Sequence, residues 1–271
     1  MKRYSKLYLF ANYLLPSSLS TSFFTKSPNT LSNKITNAQN LFSTDNKIKM
    51  NAVSMDSPSA QRNKQPIWEM LSKDVLPTLP PSNKISVLEI ACGCGVHTEY
   101  FVSKMIEEGK KICWIPTDPD GSSLDAARVR CKESNDLKKE IKESILSPLP
   151  LTLDAKGAIE KDTLTPINKI QLMICINMIH ISPWDATIGL MKVAQEKLDA
   201  NGILYCYGPY KVNGTAVESN LRFDESLKSR NSAWGVRNLE DVVQVANDCG
   251  LELVKSVEMP ANNLSLIFRK K

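Results

Sequence analysis

Short aliphatic runs alternating with helix-patterned segments are the feature that most narrows what this chain can become. Residues 85–91 (Ile-Ser-Val-Leu-Glu-Ile-Ala) form one such run and end in a glycine turn; 111–116 and 169–176 are two more. Runs of this length, bounded by turn residues, read as strands buried on both faces. Leu149, Leu151 and Leu153 alternate into Asp154 as a further strand between these, and 202–207 supplies a fifth. Segments 96–108 and 122–133 carry helical spacing, the first stopped by Gly109. Ser182, Pro183 and Asp185 have the makings of a helix cap, for a segment with Trp184, Ile188, Met191, Ala194 and Leu198 on one face. Asn238 and Asp241 cap another, which bears Val242, Val243 and Ala246 and closes at Cys249 and Gly250. Ahead of the first strand, Pro66 sits at a natural first helical position before Ile67, Met70, Leu71 and Val75.

This alternation predicts an α/β fold, a parallel sheet between two helical layers with ligands at its carboxyl edge. The chain ends differently. Residues 251–258 and 264–268 are two strands joined by Met-Pro-Ala-Asn-Asn, with no helix between them. An antiparallel pair of that kind closes a mixed, seven-stranded sheet.

Charge divides the 271 residues into two parts. Residues 1–55 hold seven basic residues and one acid, leaving 27 basic and 28 acidic residues for the rest. The excess of basic residues therefore belongs to a Ser/Thr/Asn-rich leader, and the near-neutral domain expected over 61–271 does not favour a nucleic-acid partner. The leader reads as disordered or as a targeting segment: a mitochondrial presequence, a secretory signal built on 7–15, or a stretch ahead of a start at Met50 or Met55. Its nine-residue apolar stretch, interrupted by Asn12, is too short to span a bilayer, so no membrane association is expected. Seven scattered cysteines without a CxxC pair point to reduced thiols and a cytoplasmic location, with mitochondria as the alternative. Only Cys92, Cys94 and His97 approach metal-ligand spacing, and no metal site is expected.

The chemistry concentrates at 89–97, Glu-Ile-Ala-Cys-Gly-Cys-Gly-Val-His. Glycines at a strand-to-helix turn let backbone approach a ligand, and the following helix start favours negative charge. Asp118 lies 23 residues beyond Gly95, at the end of the second strand, where a carboxylate can accept hydrogen bonds from a ribose diol. A dinucleotide fingerprint needs a small residue where Thr98 stands. Glu89 would repel a pyrophosphate but answer an ammonium group, which suits S-adenosylmethionine better than a nucleotide or an ordinary glycine turn.

Six motifs in order extend this reading: Val-Leu-Glu-Ile-Ala at 87–91 with Gly93, Gly95 and His97; Thr-Asp-Pro-Asp at 117–120; Asn-Met-Ile-His-Ile at 177–181 with Pro183 and Trp184; Tyr-Gly-Pro at 207–209; Trp-Gly-Val-Arg at 234–237 with Leu-Glu-Asp; and Met-Pro-Ala-Asn-Asn-Leu-Ser-Leu at 259–266. On these the chain resembles the Rossmann-like class I S-adenosylmethionine-dependent methyltransferases, and within them the small family that includes methyltransferase-like protein 26. The resemblance implies that Glu89 and the loop Ala91, Gly93 and Gly95 face the methionine moiety, and Asp118 the ribose. It likewise implies Asp154 near the adenine amino group and Asn177 beside the sulfonium.

Asn177 and His180 are the catalytic candidates, with His180 a base near neutral pH or, alternatively, a packed structural ring. Candidate acceptor contacts are Trp184, Tyr207 and Tyr210, then Asn220, Trp234 and Arg237 in the connection after the fifth strand, and Asn262 in the final turn. The expected activity is methyl transfer to a small molecule or peptide. A binding module without turnover is the alternative, and a nicotinamide oxidoreductase is disfavoured by Glu89 and Thr98.

Overall fold

A computed structural model describes residues 57–271 except Asn168, so the leader expected over 1–55 lies outside the described residues. Seven strands form one sheet: β1 (Ile85–Ile90), β2 (Ile112–Asp118), β3 (Leu149–Pro150), β4 (Ile170–Ile176), β5 (Leu198–Gly208), β6 (Leu251–Met259) and β7 (Asn263–Lys270). Their spatial order is β3-β2-β1-β4-β5-β7-β6. The first five are parallel, and β7 runs antiparallel between β5 and β6. This is the mixed sheet and closing strand pair that the sequence predicts.

Helices α1 (Pro58–Met70), α2 (Val96–Glu107), α3 (Gly121–Arg128), α4 (Lys139–Ser144), α5 (Trp184–Lys197), α6 (Glu218–Arg230) and α7 (Leu239–Asp248) are the α-helices longer than one turn among the described residues. Successive strand residues point to opposite faces, which splits the interior into two cores. Val87, Leu172, Ile174 and Tyr205 face one, with Ile67 of α1 and Phe101 of α2. Leu88, Met173, Cys175 and Leu204 face the other, with Leu190 of α5 and Val242 of α7. All seven cysteines are free thiols. No helix among the described residues is long and apolar enough to cross a membrane.

Four local expectations need correction. Pro66 lies inside α1, which begins at Pro58; both prolines satisfy the rule for a helix start, and the earlier one wins. The single strand expected over 149–154 is cut by Pro150, which cannot donate to a ladder. Leu153 and Asp154 pair instead with Gly157 and Ala158 in a separate ribbon. Helix α5 is preceded by Pro183 with no side-chain cap, because the Ser182 hydroxyl turns away to the sulfur of Met178 at 3.1 Å. Nor does Asn238 cap α7 through its side chain; its amide donates to Asp241 at 2.9 Å.

Candidate functional site

Strand order reverses direction between β1 and β4, and the crevice outside their carboxyl ends is where an open α/β sheet binds ligands. A cavity of about 380 Å³ opens there. Its floor is the loop 91–94, with Asp118 at the end of β2 and Asn177 at the end of β4. Three loop residues, Ala91, Gly93 and Gly95, have φ of 57°, 55° and 76°. Such left-handed backbone is natural for glycine and strained for alanine. Asn177 is left-handed too, at φ 59°, and its N–H donates to the Tyr207 carbonyl at 2.8 Å. Two strained residues therefore stand at the cavity, one at the end of each central strand.

The two glycines differ. A Cβ on Gly95 would come within 3.0 Å of Cys131 Sγ and 3.2 Å of the Cα of Ala127 in α3, so Gly95 allows loop and helix to pack closely. A Cβ on Gly93 would meet nothing within 4 Å. That open side faces the cavity that Gly93 lines. Helix α2 starts at Gly95 without a side-chain cap, leaving its positive end beside the cavity.

Asp118 is pinned in place. Its Oδ2 accepts from the Gly93 N–H at 2.8 Å and its Oδ1 from the Asp120 N–H at 2.9 Å. Burial raises its pKa, while these two donors pull the other way. Each carboxylate oxygen retains acceptor capacity toward the cavity.

Glu89 is not in the cavity wall. Its Oε2 accepts from Thr98 Oγ1 at 2.5 Å and from Trp114 Nε1 at 2.7 Å, behind the loop. Burial, against these two hydrogen bonds and with help from Asp118, raises its pKa to about 7. Asp154 also stands outside the wall: its carboxylate accepts from the Lys156 N–H at 2.7 Å, and its backbone packs against Gly189. Cys92 and Cys94 line the cavity, and burial drives the Cys92 thiol far above its ordinary pKa.

His180 is buried beside Phe223, with ring centroids 5.5 Å apart, and its Nδ1 lies against Gly208. It does not line the cavity. Burial, with Arg237 and Arg230 nearby, lowers its pKa to about 4, which keeps the ring neutral and makes it a weak base. The expected acceptor residues do not converge on the cavity either. Tyr207 is buried in the core that holds Ile67 and Phe101. Tyr210 is buried with its hydroxyl unpaired. Asn220 donates to the Asn262 carbonyl at 2.8 Å, fastening α6 to the final turn. Trp234 carries the Arg230 guanidinium over its ring at 5.8 Å. Trp184 and Arg237 border a second cavity.

One wall was not expected at all. Ser57, Ser59 and Ala60, at the start of α1, also line the cavity. One turn further on, Asn63 Oδ1 accepts from His97 Nε2 at 2.8 Å, and His97 lines the cavity. Burial, with Lys64 nearby, lowers the His97 pKa to about 4. The available signal was the Ser57-Pro58 pair, as good a helix start as Pro66.

Residues 54–270 match the family described as "Protein of unknown function (DUF938)". The chain belongs to this family. Among solved structures, this family member is similar to an O-methyltransferase family protein from Burkholderia thailandensis at 13% identity and TM-score 0.59, covering 78% of this chain and 57% of that one. It is also similar to magnesium protoporphyrin IX methyltransferase from Synechocystis PCC 6803 with bound SAH, at 12% identity and TM-score 0.53, covering 78% and 83%. A third likeness is to an O-methyltransferase family 2 protein from Planctomyces limnophilus in complex with apigenin, at 16% identity and TM-score 0.56. There the shared region covers 77% of this chain and 62% of that one, so the chain spans less than two thirds of the Burkholderia and Planctomyces proteins. At these identities the shared property is the Rossmann-like methyltransferase fold.

Proposed function

We propose that the protein is an S-adenosylmethionine-dependent methyltransferase acting on a small-molecule or peptide acceptor. The observation that carries this reading is the cavity at the β1/β4 crevice, where Asp118 is pinned by two backbone N–H groups and Gly93 leaves the space a side chain would fill. When bound, S-adenosylmethionine supplies an electrophilic methyl group on a sulfonium. Asp118 would take the ribose hydroxyls, and loop 91–95 with the α2 start the methionine carboxylate. Asn177, in the wall at the end of β4, would orient the reacting groups by proximity and alignment. Glu89 is assigned a positioning role, since Thr98 and Trp114 already occupy its Oε2. The fit extends to charge: the wall holds a carboxylate and an open helix start, suited to a ligand with a diol and a zwitterionic end.

We further propose membership of the family that includes methyltransferase-like protein 26, on the six ordered motifs, and a cytoplasmic location, supported by seven free thiols. A second reading, binding without turnover, is favoured by one observation: His180 is a weak base outside the cavity wall. Incubating the full chain with S-adenosylmethionine and a panel of hydroxyl, amine and thiol acceptors, and measuring S-adenosylhomocysteine, separates the two. Acceptor-dependent product supports the enzyme. Binding without product for every acceptor supports the silent module, and neither binding nor product would overturn both.

A further inference from the structure

A second cavity of about 340 Å³ adjoins the first through the segment 182–184: Ser182 lines the first and Trp184 the second. Its wall brings together Lys211, Lys228 and Arg237, with Asp241 the acid among the lining residues. Asp241 accepts from the Asn238 amide at 2.9 Å. Behind the wall, buried Asp224 receives both lysines on one oxygen, Lys211 at 2.6 Å and Lys228 at 2.7 Å, and the Val236 N–H at 2.8 Å on the other. Burial opposes charge on Asp224, yet these partners outweigh it and hold its carboxyl below the usual range. Asp224 thus fixes the two ammonium groups while neutralising only one of their charges. Each ammonium keeps further N–H donors for another acceptor.

Arg237 is held differently. One terminal nitrogen donates to the carbonyls of Ser182 at 2.8 Å and Ala233 at 2.6 Å. Its guanidinium carbon lies 5.8 Å from the centre of the Trp184 ring. Neutral carbonyls position the guanidinium; the carboxylate that acts on its charge is Asp224, already shared by the two lysines, and its Nε is buried without a partner. The other terminal nitrogen keeps its N–H donors, and a guanidinium beside two ammonium groups matches the charge of an oxyanion.

We propose that this second cavity binds the carboxylate or phosphate of the methyl acceptor, with Arg237 and Lys211 as its principal contacts and Lys228 at the rim. The assignment to the acceptor rests on the methyltransferase reading. The acceptor is then an anionic small molecule or acidic peptide, anchored on the far side of segment 182–184 from the cofactor cavity. Trp184 and Arg237 become specificity-determining residues for acceptor choice.

The test titrates the full chain with inorganic phosphate, 4-hydroxybenzoate and the neutral isostere 4-hydroxybenzamide, and with S-adenosylmethionine in parallel. Phosphate and the acid are expected to bind, the acid about tenfold or more tighter than the amide, with each loss of about tenfold corresponding to one ionic hydrogen bond. Arg237→Lys, which keeps a charge but loses the placement of the guanidinium donors, and Lys211→Gln should each abolish that discrimination. Lys139→Gln, on an exposed helix whose lysine side chain is 86% accessible, should leave it unchanged. Lys211→Gln keeps the test open where Arg237→Lys disturbs folding. Equal binding of acid and amide, or the same loss in Lys139→Gln, overturns the anion site while S-adenosylmethionine binding stands. Discrimination for the acid without any S-adenosylmethionine binding overturns the assignment to a methyl acceptor.

Discussion

Replacing Gly93 and Gly95 with alanine, one at a time, separates the ligand-facing part of the loop from its packing part. Both glycines are left-handed, so either alanine takes on a conformational cost of about 1–2 kcal/mol. At Gly95 the new methyl would stand 3.0 Å from Cys131 Sγ and 3.2 Å from Ala127 Cα, and the latter is helix backbone that cannot swing aside. Overpacking of that kind adds about 1–3 kcal/mol, for a total of about 2–5 kcal/mol. At Gly93 the methyl meets nothing and the cost stays near the conformational value, about 1–2 kcal/mol. The methyl does, however, enter the space assigned to the cofactor. Urea unfolding and calorimetric titration with S-adenosylhomocysteine read the two effects independently. Gly93→Ala should keep most of its stability and lose about tenfold or more in affinity, worth about 1.4 kcal/mol. Gly95→Ala should lose stability first. Equal destabilisation of the two variants, or unaltered affinity in Gly93→Ala, would refute the division of roles.

Three further outcomes follow from buried polar groups. Glu89 has its pKa raised from 4.5 to about 7. The folded protein therefore holds a proton that the unfolded chain has released, and on the order of 3 kcal/mol of stability is lost from this group as pH rises across that interval. Glu89→Gln, whose amide oxygen can accept from both Thr98 and Trp114, should remove the effect. The variant's advantage in unfolding free energy should grow between pH 4.5 and 7, and a constant difference would contradict the assignment. His97 and His180, both lowered from 6.5 to about 4, act in the opposite sense: the stability they contribute is fully present above pH 6.5 and is lost as pH falls toward 4. Quenched-flow or equilibrium acid unfolding should show this loss diminished in His180→Gln. Asn63→Ala strands the buried His97 Nε2 and should cost about 1–3 kcal/mol in thermal or chemical unfolding, and unchanged stability would show that the contact is dispensable.

The sheet was legible because buried parallel strands are predominantly aliphatic, as at β1 and β4, and few other segments share that composition. Helix α6 was not, because its buried positions are Asn220, Asp224 and Leu227, at helical spacing but mostly polar. Hydrophobic periodicity cannot register a face that packs through hydrogen bonds and ion pairs. Loop 91–95 and Asp118 were legible through glycine spacing and the interval to the second strand's end. The α1 wall carried no comparable mark, since Ser57, Ser59 and Ala60 are small residues without distinctive chemistry. Glu89 shows a different limit. Its residue type suggested a ligand contact, but Thr98, at the position where Glu89 reaches α2, and Trp114 on the adjacent strand supply donors that hold its carboxylate inside. Arg237 and Trp184 were picked out as acceptor contacts, but only the folded chain brings them together at a second cavity.

The most direct test of the central claim is calorimetric titration of the full chain with S-adenosylhomocysteine, compared with Asp118→Ala. Saturable one-site binding that disappears in a variant still folded by circular dichroism is the result predicted here. No heat from the folded wild-type protein, or equal affinity in the two, would contradict the assignment of this cavity to the cofactor.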